Sequence, residues 1–352
     1  MLNKQKKFWR NKKVLITGNS GFKGSWLSLA LKDLGANIIG ISSKKNDSKL
    51  LMSNYLNISK KIRTYNADII NYKLINKIIN KEKPQIIFHL AAQPLVRKSY
   101  EDPYKTFCTN ALGTVNLLES IRKINYRIAF INITTDKVYK QKKINKIFKV
   151  SDELGGNDIY SASKACSDMI THAYYSSFFK KNKLVGIATA RAGNVIGGFD
   201  WAKNRIIPDF FRAFNDKKKL IIRMPNSIRP WQHVIDVISG YLILAKKLYE
   251  NPKKFSNSWN FGPKKNSNKK VIDLIKQLNT INNNKVNLLI KKSNFHEENI
   301  IKLDSKTSID SLGWKQKIDF KKSINLTSEI YQKYLTKKLC YNDFKNQIRK
   351  FL

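Results

Sequence analysis

Tyr160 and Lys164, in the run Tyr160-Ser161-Ala162-Ser163-Lys164, place a phenol and an ammonium one helical turn apart on the same face. A positive charge beside a phenol favours the phenolate, so such a pair lets the tyrosine serve as a base near neutral pH. In a lysine-rich chain the spacing alone says little, because Tyr139/Lys143, Tyr249/Lys253 and Tyr334/Lys338 share it. Tyr139 reads as part of a charged loop, Tyr249 as a helix end ahead of Pro252, and Tyr334 as part of a polar tail. Only Tyr160 opens a long helical segment after a strand end rich in hydroxyls, Ile133-Thr134-Thr135. Thr135-Asp136-Lys137 sits at that strand's C-terminal end, where open α/β sheets gather their chemistry. An acid and an amine side by side can divide two proton transfers between them; a simple polar turn is the alternative reading.

A second constellation is Gly18-Asn19-Ser20-Gly21-Phe22-Lys23-Gly24, which joins an apolar strand to a helical run. Gly18 permits the tight turn, Gly21 lets backbone N–H groups approach a pyrophosphate, and Gly24 lets the helix pack close to the sheet. The spacing is GxxGxxG, where the general dinucleotide fingerprint has GxGxxG. The acid expected at the end of the second strand is replaced by Ser42-Ser43-Lys44-Lys45. A lysine there tolerates a 2′-phosphate, so the residues leave both NAD and NADP open. Asp68, just after the third strand at Tyr65-Asn66-Ala67, is placed either to contact adenine or to cap a helix.

The elements that position these groups alternate. Apolar β-rich runs at 14–17, 38–42, 86–90, 127–133 and 184–190 are separated by runs of helical period at 23–34, 72–80, 104–121 and 158–179. That rhythm predicts an α/β fold, a Rossmann-like doubly wound parallel sheet with a smaller mixed α/β C-terminal substrate lobe. The expected boundaries are 1–191 for the dinucleotide domain, with segments near 230–262 returning to it, and 192–352 mainly for the second lobe.

The formal net charge is +42. The excess is lysine scattered through every segment, including 142–149 and 217–219, rather than arginine and aromatics gathered on one element. That pattern predicts a solvated lysine-rich surface and no specific nucleic-acid partner. Three cysteines, Cys108, Cys166 and Cys340, form no CxxC pair, so neither a disulfide framework nor a thiolate metal site is expected. No apolar run approaches the length of a membrane span, and the expected compartment is the cytoplasm.

Seven stretches together resemble the CDP-glucose 4,6-dehydratase family of extended short-chain dehydrogenases/reductases. They are 17–27 (Thr-Gly-Asn-Ser-Gly-Phe-Lys-Gly-Ser-Trp-Leu), 89–97, 134–139 (Thr-Thr-Asp-Lys-Val-Tyr), 191–201, 228–234, 259–263 and Leu312-Gly313-Trp314. Asp136-Lys137 separates this family from dehydratases for dTDP-glucose or GDP-mannose, which carry Asp-Glu there.

The resemblance implies an NAD-dependent, redox-neutral hydro-lyase acting on CDP-glucose or a related nucleotide sugar, as a homodimer or dimer of dimers. It implies that Thr135, Tyr160 and Lys164 serve oxidation at C4, and that Asp136 and Lys137 serve as acid and base in loss of water across C5 and C6. Cofactor contacts fall on Thr17, Gly18, Gly21, Phe22, Gly24, Asp68, Ile69, Leu90, Ala91 and Ala92, besides Tyr160 and Lys164. Substrate contacts fall on Gln93, Arg97, Asn194, Arg205 and Arg229, arginine forks being suited to a diphosphate. No metal is implied. An epimerase or a dehydratase for another nucleotide hexose is the alternative within the fold, and a non-catalytic polyanion-binding protein the alternative outside it.

Overall fold

Strands whose residues alternate between two apolar layers build the centre of the molecule. Val14 and Ile16 point into one core and Leu15 into the other; Phe88 and Ile87 divide in the same way, as do Ile131 and Phe130. Burial on both faces is what a parallel sheet covered by helices demands. The computed structural model describes residues 2–43, 50–140, 146–283, 286–291 and 302–352.

The sheet has seven strands in the order Ser258–Phe261, Val185–Ala192, Ile128–Ile133, Ile86–His89, Lys13–Thr17, Asn37–Ser42 and Arg63–Asn66. Every pairing is parallel. The chain runs outward in one direction from Lys13–Thr17 and then, from Ile86–His89, in the other. The point of reversal lies between these two strands, and there a crevice opens at their carboxyl ends. The doubly wound parallel sheet expected from the sequence is borne out. The expected helix 104–121 is instead three continuous pieces, Pro103–Phe107, a π turn Cys108–Leu112 and Gly113–Arg122. The wide turn carries buried Asn110, whose amide donates to Ser163 Oγ at 2.9 Å and accepts from the Gln93 N–H at 2.8 Å. π turns of this kind are common where a helix carries function.

A third core forms among the helices Ile206–Asn215, Val271–Ile281 and Phe320–Leu335, around Phe211 and Tyr331, whose rings stack at 4.1 Å. Short parallel pairs connect the intervening segments, Val195–Ile196 with Gln232–His233 and Leu220–Ile222 with Leu288–Ile290. The last helix, Tyr341–Phe351, packs on the helix that follows the glycine loop. Phe344 meets Trp26 edge to face at 5.2 Å, and Arg349 bonds Asp33 at 2.8 Å.

Candidate active site

The glycine loop is shaped by close contact. Gly18 has φ +73°, and a Cβ there would stand 2.7 Å from the Ala91 nitrogen. A Cβ on Gly24 would lie 2.1 Å from the Gly18 carbonyl oxygen, so helix and turn touch backbone to backbone. A Cβ on Gly21 would meet only that same oxygen, at 3.4 Å. Gly21 is the N-cap of the helix Phe22–Asp33, and no side chain caps that end. Its first-turn N–H groups face the crevice, which is how such loops hold a pyrophosphate.

This cofactor-shaped cleft, about 320 Å³, is lined by the three glycines with Phe22, Asp68, Ile69, Leu90, Ala91, Ala92, Tyr160 and Lys164. Thr17 stands behind it: its hydroxyl accepts from the Ala91 N–H at 3.2 Å and bonds His89 Nδ1 at 2.8 Å. Asp68 accepts from the Ile70 N–H at 3.1 Å, while the cap of the next helix is Asn71. Ser42 and Ser43 line the far end. Lys44 and Lys45, on which the choice between NAD and NADP turned, lie outside the described residues, as do Lys142 and Lys143.

A second cleft of the same size is lined by Thr135, Asp136, Lys137, Asn194, Arg205 and Arg229. The two clefts meet at Tyr160, Thr134, Pro94, Arg205 and Lys23, which line both. Gln93 and Arg97 line neither. The Gln93 amide is used within its own loop, donating to Leu95 O and Thr106 Oγ1, each at 3.1 Å. Arg97 donates to Asn204 Oδ1 at 3.4 Å, and it is Asn204 that reaches the second cleft.

The electrostatics of the junction follow from burial. Burial pushes the Tyr160 phenol up to about 12, although its hydrogen bond with Thr135 and the charge of Arg205 work the other way. Burial, aided by the charge of Lys23, brings Lys164 down to about 7. Lys164 Nζ donates to the Ile133 carbonyl at 2.9 Å, the acceptor exposed at the end of the strand Ile128–Ile133. Burial thus works against the phenolate that a neighbouring ammonium favours. Burial also raises Asp136 above the usual carboxylate range, against the charges of Lys137, Arg229 and Lys23. Its Oδ1 accepts from Thr135 Oγ1 at 3.0 Å, while buried Oδ2 has no partner among the described residues. A carboxyl whose proton is held more tightly than in water and which lines a cleft is suited to act as an acid.

Lys23 is the residue that sequence reasoning passed over. It stands half-buried where the clefts meet, and desolvation together with Arg205 lowers it to about 8, against Asp136 and Asp200. Its only signal was its place between Phe22 and Gly24. Arg205 pairs with Asp200 at 2.6 Å and stays charged. Tyr139 is not in a charged loop: it is fully buried, and its hydroxyl donates to Asn260 Oδ1 at 2.6 Å.

The profile of the GDP-mannose 4,6-dehydratase family matches residues 15–327. The CDP-glucose 4,6-dehydratase of Salmonella typhimurium is 41% identical over 314 residues, 88% of this chain and 87% of that protein. The chain belongs to the nucleotide-sugar 4,6-dehydratase family. Within it, the resemblance to CDP-glucose 4,6-dehydratases seen in the motifs is borne out. A dTDP-D-glucose 4,6-dehydratase from Dictyostelium discoideum is 34% identical over 67% of this chain and 56% of its own length. Two solved structures share the fold of this dehydratase family member. The dTDP-glucose 4,6-dehydratase of Bacillus anthracis in complex with NAD has a TM-score of 0.77 at 22% identity, covering 92% of this chain and 97% of that one. The UDP-glucose 4-epimerase of Thermotoga maritima with UDP-glucose has 0.80 at 20% identity, covering 92% and 99%.

Proposed function

We propose that this dehydratase family member converts CDP-glucose to CDP-4-dehydro-6-deoxyglucose and water, with NAD as its dinucleotide. The observation that carries the reading is the junction of the two clefts. Tyr160 and Thr134 face both, and Thr135-Asp136-Lys137 opens only on the substrate side. The glycine cradle, where side-chain carbons at Gly18 and Gly24 would collide with backbone, and the uncapped helix end suit a dinucleotide pyrophosphate. The relatives' names support the base and the dinucleotide: the similar Salmonella enzyme acts on CDP-glucose, and the Bacillus anthracis structure holds NAD.

Bound NAD supplies the hydride acceptor for C4 and the donor for C6. Everything else falls to the chain. Tyr160, hydrogen-bonded to Thr135, takes the proton of the sugar 4-hydroxyl; its high starting value makes it a strong base once the phenol gives up its own proton. The ammonium form of Lys164, one turn along the same helix, favours the phenolate by its charge. A 4-ketone acidifies the C5 proton, which Lys137 removes, while Asp136 gives a proton to the departing 6-hydroxyl. Arg205 and Arg229, with Asn194, hold the diphosphate.

Residues 192–352 make up mainly the nucleotide-sugar side, and 1–191, with segments near 230–262 returning to it, the dinucleotide side. Tyr104, Leu112, Met169 and Phe178 are exposed on the two helical stretches through Pro103–Arg122 and Ile159–Phe179. We propose that two copies pair there, and that the enzyme works in the cytoplasm; no helix among the described residues is long and apolar enough to cross a membrane. Incubation with CDP-glucose and NAD tests the central reading. The expected product has lost one water and absorbs in alkali as a 4-ketone; a C4 epimer of unchanged mass would sink it.

A further inference from the structure

Beneath the substrate cleft lies a buried ion pair that lines neither cleft. Arg191 grips Asp168 through two parallel bonds, Nε to Oδ2 at 2.9 Å and Nη2 to Oδ1 at 2.8 Å. Both side chains are almost wholly shielded from water, 3% and 1% exposed. Such a pair adds little net stability, because desolvating two charges offsets most of their attraction. What it supplies is fixed geometry, since a bidentate fork has one orientation and its remaining donors have few choices.

Three of the remaining bonds tie the pair to its surroundings, Arg191 donating to Val150 O at 3.1 Å and Ser258 Oγ at 3.0 Å and Asp168 Oδ1 accepting from Thr189 Oγ1 at 3.3 Å, and two go to the ends of one short segment. At the near end Thr134 Oγ1 donates to Asp168 Oδ2 at 3.0 Å. At the far end Arg191 Nη1 donates to Tyr139 Oη at 2.8 Å, with the guanidinium 4.9 Å above the same ring. Between the two ends stand Thr135, Asp136 and Lys137. The Tyr139 ring is itself held, stacked on Phe148 at 4.9 Å. A third link runs along the chain. Gly193, two residues beyond Arg191, lies so near the Asp136 carboxyl that a Cβ there would stand 3.0 Å from Oδ2.

We propose that the Arg191–Asp168 pair is a clamp that positions the Asp136–Lys137 turn for the elimination step, gripping it through the hydroxyls of Thr134 and Tyr139. The inference rests on the dehydratase reading. Arg191, Asp168 and Tyr139 are positioning residues: none lines a cleft, and each acts through the turn it holds. Tyr160 comes from the separate helix Ile159–Tyr174, and the Thr134 N–H is anchored to Ala190 O at 3.0 Å. Thr135, which serves the oxidation, adjoins the near jaw, so releasing the far jaw alone loosens Asp136 and Lys137 more than Thr135 and Tyr160.

Tyr139→Phe tests this, because it removes the far jaw's hydroxyl and keeps the ring on Phe148. In a single turnover with CDP-glucose, reduced nicotinamide is expected to form within about twofold of the wild-type rate and then persist. Loss of water is expected to slow by about 10²-fold, the scale of a small misplacement of catalytic groups. Equal slowing of both steps, or no change in either, would overturn the clamp. Thr134→Val releases the near jaw and is expected to slow water loss more than oxidation; it decides the matter by the same ratio if Tyr139→Phe does not fold. A wild-type enzyme that removes no water from CDP-glucose would defeat the dehydratase reading itself, whereas normal wild-type turnover with an unchanged ratio in the variants defeats the clamp alone.

Discussion

Asp136 shows how one residue can take on a role that its type does not announce. An aspartate in water gives up its proton readily; here burial raises its hold on that proton, and one oxygen is left without a partner among the described residues. Asp136→Asn is expected to lower turnover by about 10²–10⁴-fold, the range of a lost general acid, while reduced nicotinamide still forms on mixing with substrate. Tyr160→Phe is expected to lose a similar factor with no reduced nicotinamide at all, which stopped-flow absorbance distinguishes. The cleft lysines make a further prediction about the protein without ligands. Lys164 is brought down to about 7 and Lys23 to about 8, both from 10.5, so between those limits the unfolded chain binds more protons than the folded one. Stability therefore rises as pH climbs from about 7 to 10.5, and Lys164→Met flattens that rise and increases Tm at pH 7. Thermal melts across that pH range check the sign. Tyr160, Asp136 and the glycines were legible from type and order along the chain. Lys23 was not, because one more lysine in a chain of this composition carries no signal until burial sets it apart. What the sequence did not show for Gln93 is that its amide bonds Leu95 and Thr106 within its own loop.

At the scale of elements, the first strand, the glycine loop and the helix after it form one unit whose fit depends on missing side chains. The three glycines are not equivalent. Gly24→Ala is expected to destabilise the protein by about 3 kcal/mol, since a carbon 2.1 Å from a backbone oxygen forces helix and turn apart. Gly21→Ala, whose carbon finds 3.4 Å of room, is expected to unfold at the wild-type urea midpoint yet bind the dinucleotide more weakly, the added methyl facing the pyrophosphate. Urea midpoints and a cofactor titration on the two variants separate the effects. Five of the seven strands could be read from apolar runs bounded by turn residues, and the third from its place before Asp68. Ser258–Phe261 could be suspected only as a return to the sheet, because four residues carry no periodicity and their pairing with Val185–Ala192 is a tertiary fact. The π turn at Cys108–Leu112 was invisible for a related reason: it answers to Asn110, Gln93 and Ser163 meeting in space, not to a local pattern.

Over the whole molecule, a net charge of +42 coexists with two clefts lined by only a few cations. The few cations that matter to the site, Lys23, Lys164, Arg205 and Arg229, are buried or part-buried in the clefts, while most lysines stand in solvent. A solvated lysine coat attracts polyanions by counterion release alone, so retention on heparin is expected at low salt and release at physiological salt. Tyr160→Phe should not alter that elution while abolishing turnover, which separates the surface charge from the chemistry. The central claim is a hydride that leaves C4 and returns to C6 within one active site. CDP-glucose carrying deuterium at C4 tests it most directly: the account predicts a product one water lighter with the deuterium at C6, and no net reduction of NAD. A product with the deuterium back at C4 and its mass unchanged, or label lost to stoichiometric reduced cofactor, would contradict it.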